Sequence, residues 1–256
     1  MGPVYRFFEP ADWSNFTMTI PLKITTLLFD LDGTLIHHHP SAIDVLFTIL
    51  DKHQVPLMQS AYRDTLDFIF QYWASSEELD QDLKMYGEFT EEFWLHYLKR
   101  KMWVVGLSED QTTELAESVQ REFDELYQPE TLVGDDVLPT LKALRSKGYK
   151  MGIISNRSSS FEDEIHELGF DVYLDFFFTS GDIEIWKPDP RVFEHALFLA
   201  ESAPEETAYI GDNYYTDIIG AQNAGIYPIL YDPRNIFPDA DCQVISDIGN
   251  LVPRIV

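Results

Sequence analysis

Hydrophobic positions follow two rhythms along the chain, and the change of rhythm divides it. Over 24–29 the residues read Ile-Thr-Thr-Leu-Leu-Phe, apolar or β-branched almost throughout, as a strand buried on both faces of a parallel sheet requires. Runs of the same kind recur over 149–154, 176–179, 207–210 and 227–230, with a weaker one over 243–245. Between them the spacing turns helical: Val137, Leu141 and Leu144 form a stripe that stops at Gly148, and Phe193, Ala196, Leu197 and Ala200 form another after Pro190. Strands and helices alternate, which predicts an α/β fold with a doubly wound parallel sheet.

The stretch from Ser41 to Gln128 breaks that alternation. Helical patterns run over 60–74, 90–104 and 108–127, and no convincing strand lies among them. Ser108, with Gln111 three residues on, has the form of a capping box, and Thr90 is followed by two acids in a first turn. The expected organisation is an N-terminal extension over 1–22, an α/β core from 23–36 and 134–256, and an inserted all-helical domain over 37–133. No internal repeat, low-complexity tract or Gly/Ser-rich linker appears. Met18 stands as an alternative start to Met1.

Composition narrows the chemistry. The 256 residues include 44 acidic and 18 basic side chains, a formal charge of -26. Such a field repels nucleic acid and anionic membranes, so neither is an expected partner. Any anionic substrate would need a local positive centre. Cys242 is the only cysteine, which excludes an internal disulfide and fits a reducing cytoplasm. No stretch approaches the roughly eighteen apolar residues of a membrane span, and the first twenty residues lack a signal-peptide core.

Candidate chemistry gathers at strand ends. Asp30 and Asp32 stand at the carboxyl end of the first strand, where open parallel sheets place their ligands, and Gly33 permits a sharp turn. Two carboxyls so close cannot both ionise cheaply, which suits an acid beside an ionised nucleophile. Read without chemistry, the segment is a strand end with solvated acids. Ser155 and Asn156 end the 149–154 run, and a hydroxyl there either holds an anion beside a helix opening over 158–168 or simply caps that helix. Lys187 precedes Pro188 and Pro190, which fix its backbone. Asp212 and Asp217 follow the 207–210 run.

Phe29-Asp30-Leu31-Asp32-Gly33-Thr34-Leu35 resembles the first signature of the haloacid dehalogenase-like phosphatases. Ser155-Asn156, Lys187 and Gly211-Asp212 through Asp217 resemble the later signatures, in the family's order. The resemblance implies a Mg2+-dependent phosphatase with a helical cap, acting on a small phosphorylated metabolite through an aspartyl-phosphate. It implies that Asp30 is the nucleophile, that Asp32 is the acid and base, and that Lys187 neutralises charge. Gly33, Ser155, Asn156 and Lys187 would bind the phosphate. Asp30, Asp212 and the Asp32 carbonyl would hold the metal, with Asp217 supporting it.

Asp32 argues against dehalogenation, because dehalogenases of the superfamily lack that second aspartate. A phosphosugar mutase of the β-phosphoglucomutase type, or a non-catalytic phosphate-ligand binding protein, are the alternatives. Neither the substrate nor the oligomeric state is written in the sequence. His37, His38 and His39 are consecutive, a spacing that rarely converges on one ion; they suit a mobile turn into the cap. Trp73, Trp94, Trp103, Tyr72 and Tyr97 are expected mostly in the cap core. Arg157 either reaches a second anionic group or lies in solvent.

Overall fold

The structure, a computed structural model, describes residues 23–254. The expected N-terminal extension and the choice between Met1 and Met18 lie outside the described residues. Eight strands and eleven helices are named here in chain order. The strands are β1 (Thr26–Phe29), β2 (Ile36–His39), β3 (Glu130–Val133), β4 (Lys150–Ser155), β5 (Phe176–Thr179), β6 (Thr207–Gly211), β7 (Tyr227–Tyr231) and β8 (Gln243–Ile245). The helices of the first half are α1 (Ala42–Lys52), α2 (Ala61–Tyr72), α3 (Glu77–Tyr86), α4 (Glu91–Val105) and α5 (Glu109–Leu126). Those of the second are α6 (Val137–Ser146), α7 (Glu162–Glu167), α8 (Ser180–Ile183), α9 (Pro190–Ala200), α10 (Ile219–Asn223) and α11 (Leu251–Arg254). The chain forms two compact units, one running up to Ile36 and resuming at Val133, the other His37–Leu132.

In the first unit six parallel strands lie in the order β5-β4-β1-β6-β7-β8. Chain order reverses at β1, which is flanked by β4 on one side and β6 on the other, the place where such sheets open a crevice at their carboxyl ends. The apolar runs become strands because both faces are covered. Leu27 and Phe29 pack with Met151, Ile153, Ala208 and Ile210 against α6 and α7 on one face. Leu28, Ile154 and Tyr209 pack against α9 on the other. Each fully buried Leu, Ile or Phe in these layers contributes roughly 1.5–3 kcal/mol.

The second unit is the helical insertion. Val45, Ile49, Leu98, Met102, Ala116 and Val119 form one core, and Tyr72, Phe93 and Tyr97 a second. The capping box at Ser108 is present: its backbone N–H donates to Gln111 Oε1 at 2.9 Å, and the Gln111 N–H donates back to Ser108 Oγ at 3.3 Å. Tyr72 and Tyr97 are core residues, whereas Trp94 and Trp103 are 41% and 40% exposed, so the expectation for the aromatic set holds only in part.

Asp82 is buried in this unit and fully engaged. Arg100 donates to it twice, from Nε at 2.5 Å and Nη2 at 2.8 Å, and the Tyr72 hydroxyl donates at 2.9 Å. Burial works against its charge, yet Arg100 and Tyr72 hold the carboxyl below its ordinary range.

Two expectations are corrected here. His37, His38 and His39 are not a loose turn; they belong to β2, which pairs with β3 in a two-stranded sheet. A histidine run has little strand propensity of its own, and its pairing partner lies far along the chain. The helix expected over 158–168 begins only at Glu162, because a serine run favours local side-chain bonds over helix, as in the Ser160 hydroxyl that accepts from the Glu162 N–H at 3.3 Å. No helix among the described residues is long and apolar enough to cross a membrane.

Candidate active site

The register of the sheet brings the motif residues together. Phe29 lies opposite Ile153 on one side and Ile210 on the other, so Asp30, Ser155 and Gly211 leave neighbouring strands at one edge. The Asp30 N–H still donates to the Ile210 carbonyl at 2.8 Å. Beyond it the chain turns tightly, with the N–H groups of Leu35 and Ile36 on the Leu31 carbonyl. Gly33 takes φ +89°, and a Cβ there would overlap the Asp212 carboxylate. Glycine is therefore needed at this position for the turn and for the close approach of the two motifs.

After β6 the chain enters a π-helical turn over Tyr214–Ile218, a geometry often found at functional sites. The Asn213 side chain accepts from the N–H groups of Tyr215 and Thr216 at 2.9 and 3.2 Å. This turn swings Asp217 back toward the strand end, where its Oδ2 accepts from the Asn213 N–H at 3.0 Å. A Cβ on Gly211 would overlap Asp217.

Lys187 is the positive centre. Its ammonium, 2% exposed, donates to Asp30 Oδ1 at 2.7 Å, Asp217 Oδ1 at 2.7 Å and the Tyr209 hydroxyl at 2.9 Å. Burial opposes the charge, but Asp217 and Asp30 outweigh it and keep the lysine protonated. Asn156 holds the Lys187 backbone from both ends of its amide: Oδ1 accepts from the Lys187 N–H at 2.8 Å and Nδ2 donates to the Lys187 carbonyl at 3.0 Å. The Ser180 hydroxyl also donates to Asn156 Oδ1. The amide expected to bind phosphate is thus engaged in fixing the lysine. Pro190 opens α9 behind it, with Asp189 as its N-cap.

Carboxylates outnumber that one cation. Asp30, Asp212 and Asp217 each offer an oxygen within 4.8 Å of the other two. Burial, assisted by Asp217 and Asp32 and opposed by Lys187, pushes the Asp30 carboxyl up to about 7. Burial and the charges of Asp30 and Asp217 likewise raise Asp212 well above the ordinary carboxylate value. A hard divalent cation suits this all-oxygen donor set and would relieve the crowding that raises both groups. The residues present fit a metal of the Mg2+ kind.

Asp32 stands apart from the cluster. Arg157 grips it in a fork, Nε to Oδ2 at 2.8 Å and Nη2 to Oδ1 at 2.6 Å, and also bonds Glu164 through Nη1. The Ser155 hydroxyl donates to Asp32 Oδ2 at 3.2 Å. Arg157 therefore neither lies in solvent nor stands free for a second anion. Tyr209 and Thr34, whose hydroxyl donates to Asp30 Oδ2 at 3.2 Å, escaped the sequence reading. A tyrosine in the middle of an otherwise apolar buried strand was the available signal, since a buried phenol needs a partner.

Residues 24–225 match the family profile described as haloacid dehalogenase-like hydrolase. The chain belongs to that family. This hydrolase is 28% identical over 244 residues to human haloacid dehalogenase-like hydrolase domain-containing protein 3, covering 91% of this chain and 94% of that one. It is 30% identical over 205 residues to pyrophosphatase PpaX of Bacillus cereus (strain B4264), with 80% and 81% covered. Among solved structures, 2-haloacid dehalogenase from Pseudomonas syringae pv. Tomato DC3000 superimposes with a TM-score of 0.52 at 27% identity, over 91% of this chain and 98% of that one. A predicted phosphoglycolate phosphatase from Haemophilus somnus 129PT shares the fold, with a TM-score of 0.54 at 18% identity and 90% and 97% covered.

Proposed function

We propose that this hydrolase cleaves a small phosphate monoester through an aspartyl-phosphate on Asp30, with Mg2+ as cofactor. The observation that carries the reading is the division of labour between two aspartates two positions apart. Asp30 is buried against Lys187 and the other carboxylates, and Asp32 is held outside that cluster by Arg157 and Ser155. Phosphoryl transfer to a carboxylate needs a nucleophile and a separate proton donor for the leaving oxygen. Cleavage of a carbon–halogen bond releases a halide that needs no proton, so Asp32 favours the phosphatase over the dehalogenase chemistry of the Pseudomonas relative.

In the first step an ionised Asp30 oxygen attacks phosphorus in line and the bond to the leaving oxygen breaks, while Asp32, once freed from the Arg157 fork and protonated, supplies the proton that makes the leaving group an alcohol. In the second, Asp32 takes a proton from a water that attacks the aspartyl-phosphate, releasing phosphate and restoring Asp30. Lys187 stabilises charge on the transferring group, Ser155 turns the hydroxyl that donates to Asp32 toward a phosphoryl oxygen, and Asn156 keeps Lys187 in place. Asp30, Asp212 and the Asp32 carbonyl would hold the metal, with Asp217 behind them. When bound, the cation supplies charge neutralisation for phosphoryl oxygens and carboxylates alike.

The substrate is a small phosphorylated metabolite, a class in keeping with the pyrophosphatase of Bacillus cereus to which the chain is similar. The lone cysteine supports a cytoplasmic setting, and the net charge of -26 argues against nucleic acid and membrane partners. The test is release of para-nitrophenol from its phosphate ester by purified protein, with magnesium and with chelator. Metal-dependent release abolished in Asp30→Asn is expected; no release with any divalent cation would overturn the reading.

A further inference from the structure

The helical unit contains a cavity of about 640 Å³, within the range of small-molecule pockets. Its principal wall is one face of α4: Trp94, Tyr97, Leu98 and Lys101 recur at the spacing that aligns side chains along a helix. Phe123 on α5 and Tyr127 just after it also line the cavity. The walls are fixed in place. Tyr97 stacks on Tyr72 at 4.8 Å between centroids and accepts a hydrogen bond from the Trp73 indole at 2.9 Å, while Phe123 and Tyr127 stack at 5.0 Å.

Lys101 is set apart from Arg100 and Lys52 by what surrounds its ammonium. Arg100 beside it is paired with Asp82, and Lys52 with Glu122. The Lys101 ammonium instead lies 4.3 Å from the Tyr97 ring centroid and 5.6 Å from that of Phe123, with no hydrogen bond or ion pair to any described residue. Burial alone pushes it down to about 8, with no carboxylate close enough to counter the effect. An ammonium turned toward aromatic faces without a counterion is incompletely compensated for the water it has lost. Trp94, 41% exposed, borders the cavity with its indole open to solvent.

We propose that this pocket binds a small monoanion with a flat apolar body, its carboxylate or sulfonate on Lys101 and its body against Trp94, Phe123 and Tyr127. The aromatic walls supply the apolar area and the lysine the missing charge partner. Glu91, Glu117, Asp124 and Arg121 also line the cavity, and all are exposed. Their net negative charge, screened by solvent, repels a guest in proportion to the guest's own charge, about twice as strongly for a phosphate dianion as for a monoanion, which sets the preference for a monoanion. None of the residues used here takes part in the proposed phosphoryl chemistry.

The experiment is a fluorescence titration of the full chain with anilinonaphthalene sulfonate and, in parallel, with neutral phenylnaphthylamine, which has the same ring system without the sulfonate. Saturable binding of one sulfonate dye per chain is expected, tighter than the neutral dye by about tenfold, the scale of a hydrogen bond to a charged group. Lys101→Met removes that difference and leaves the neutral dye unchanged; Lys101→Arg keeps it. Lys101→Gln serves as a second neutral variant, and each variant is checked for an unchanged thermal transition. Asp30→Asn leaves both dyes bound, so loss of catalysis and loss of this pocket are read separately. Equal affinity of the two dyes, a sulfonate affinity insensitive to Lys101, or its loss in Asp30→Asn would overturn the proposal.

Discussion

Two buried carboxylate networks, one in each unit, have opposite electrostatic outcomes. Around Asp82 a single carboxylate faces the Arg100 guanidinium and the Tyr72 hydroxyl, and His96 Nε2 lies 3.3 Å from its other oxygen. The carboxyl falls below its ordinary range. Around Lys187 one ammonium faces Asp30 and Asp217 with Asp212 nearby, and Asp30 is pushed up to about 7 while Asp212 rises as well. Burial is common to both. The balance of charge differs: the first network is compensated and closes on itself, and the second is short of positive charge and remains open to a cation. A buried ion pair is therefore no guide to function until its charges are counted against each other.

The contrast breaks most sharply at Asp30, the proposed nucleophile. Asp30→Asn should lower phosphatase turnover by at least ~10³-fold, while the metal-free folded chain is no less stable, because the change removes one of three crowded carboxylates. Lys187→Met should cost about 10²- to 10³-fold in turnover and also destabilise the fold, since Asp30 and Asp217 then lose their counterion; urea unfolding beside the activity assay checks both. Asp82→Ala should do the reverse of Asp30→Asn. It strands Arg100 and Tyr72 and costs about 3–5 kcal/mol of stability, as breaking a buried pair does, an effect read by chemical denaturation of the whole chain.

Arg157→Lys tests the separation of Asp32 from the cluster. A point charge cannot reproduce the guanidinium fork, so kcat should fall by about tenfold with KM little changed, the mark of a positioning residue. A large rise in KM instead would assign Arg157 to substrate. The smallest effect concerns pH and metal together. Because Asp30 stands at about 7 against an ordinary 3.8, the folded metal-free chain holds a proton that the unfolded chain has released between those values, and its stability falls as pH rises through that window. Metal binding requires the deprotonated carboxylates. Magnesium should therefore raise the unfolding temperature by a few degrees at pH 8, the effect of ~2–3 kcal/mol, and by less at pH 5.

What the sequence made legible was local. The five apolar runs of the core became β1, β4, β5, β6 and β7, because strands buried on both faces are written as continuous hydrophobic residues. The helices α2, α4 and α5 lie within a residue or two of their expected bounds, since their caps and periodicity are also local signals. Pairings across the chain were not legible. Nothing near His37 announces β3, and nothing near Asn156 announces that both ends of its amide will hold Lys187. Arg157 carried no mark of its fork on Asp32, which depends on how the turn after β1 presents that carboxylate. Asp217 was expected to support the metal; that its Oδ1 would accept from the buried lysine follows only from the π-helical turn that brings it back.

The central claim is that Asp30 forms a covalent bond to phosphorus. The most direct measurement is to mix enzyme with a phosphate ester and magnesium, quench with borohydride, which reduces an acyl phosphate to an alcohol, and map the altered residue by peptide mass spectrometry. The account predicts that the peptide bearing Asp30 loses the mass that accompanies reduction of its carboxyl, and that chelator prevents the change. Turnover without modification at Asp30, or modification at Asp32, Asp212 or Asp217 instead, would contradict it.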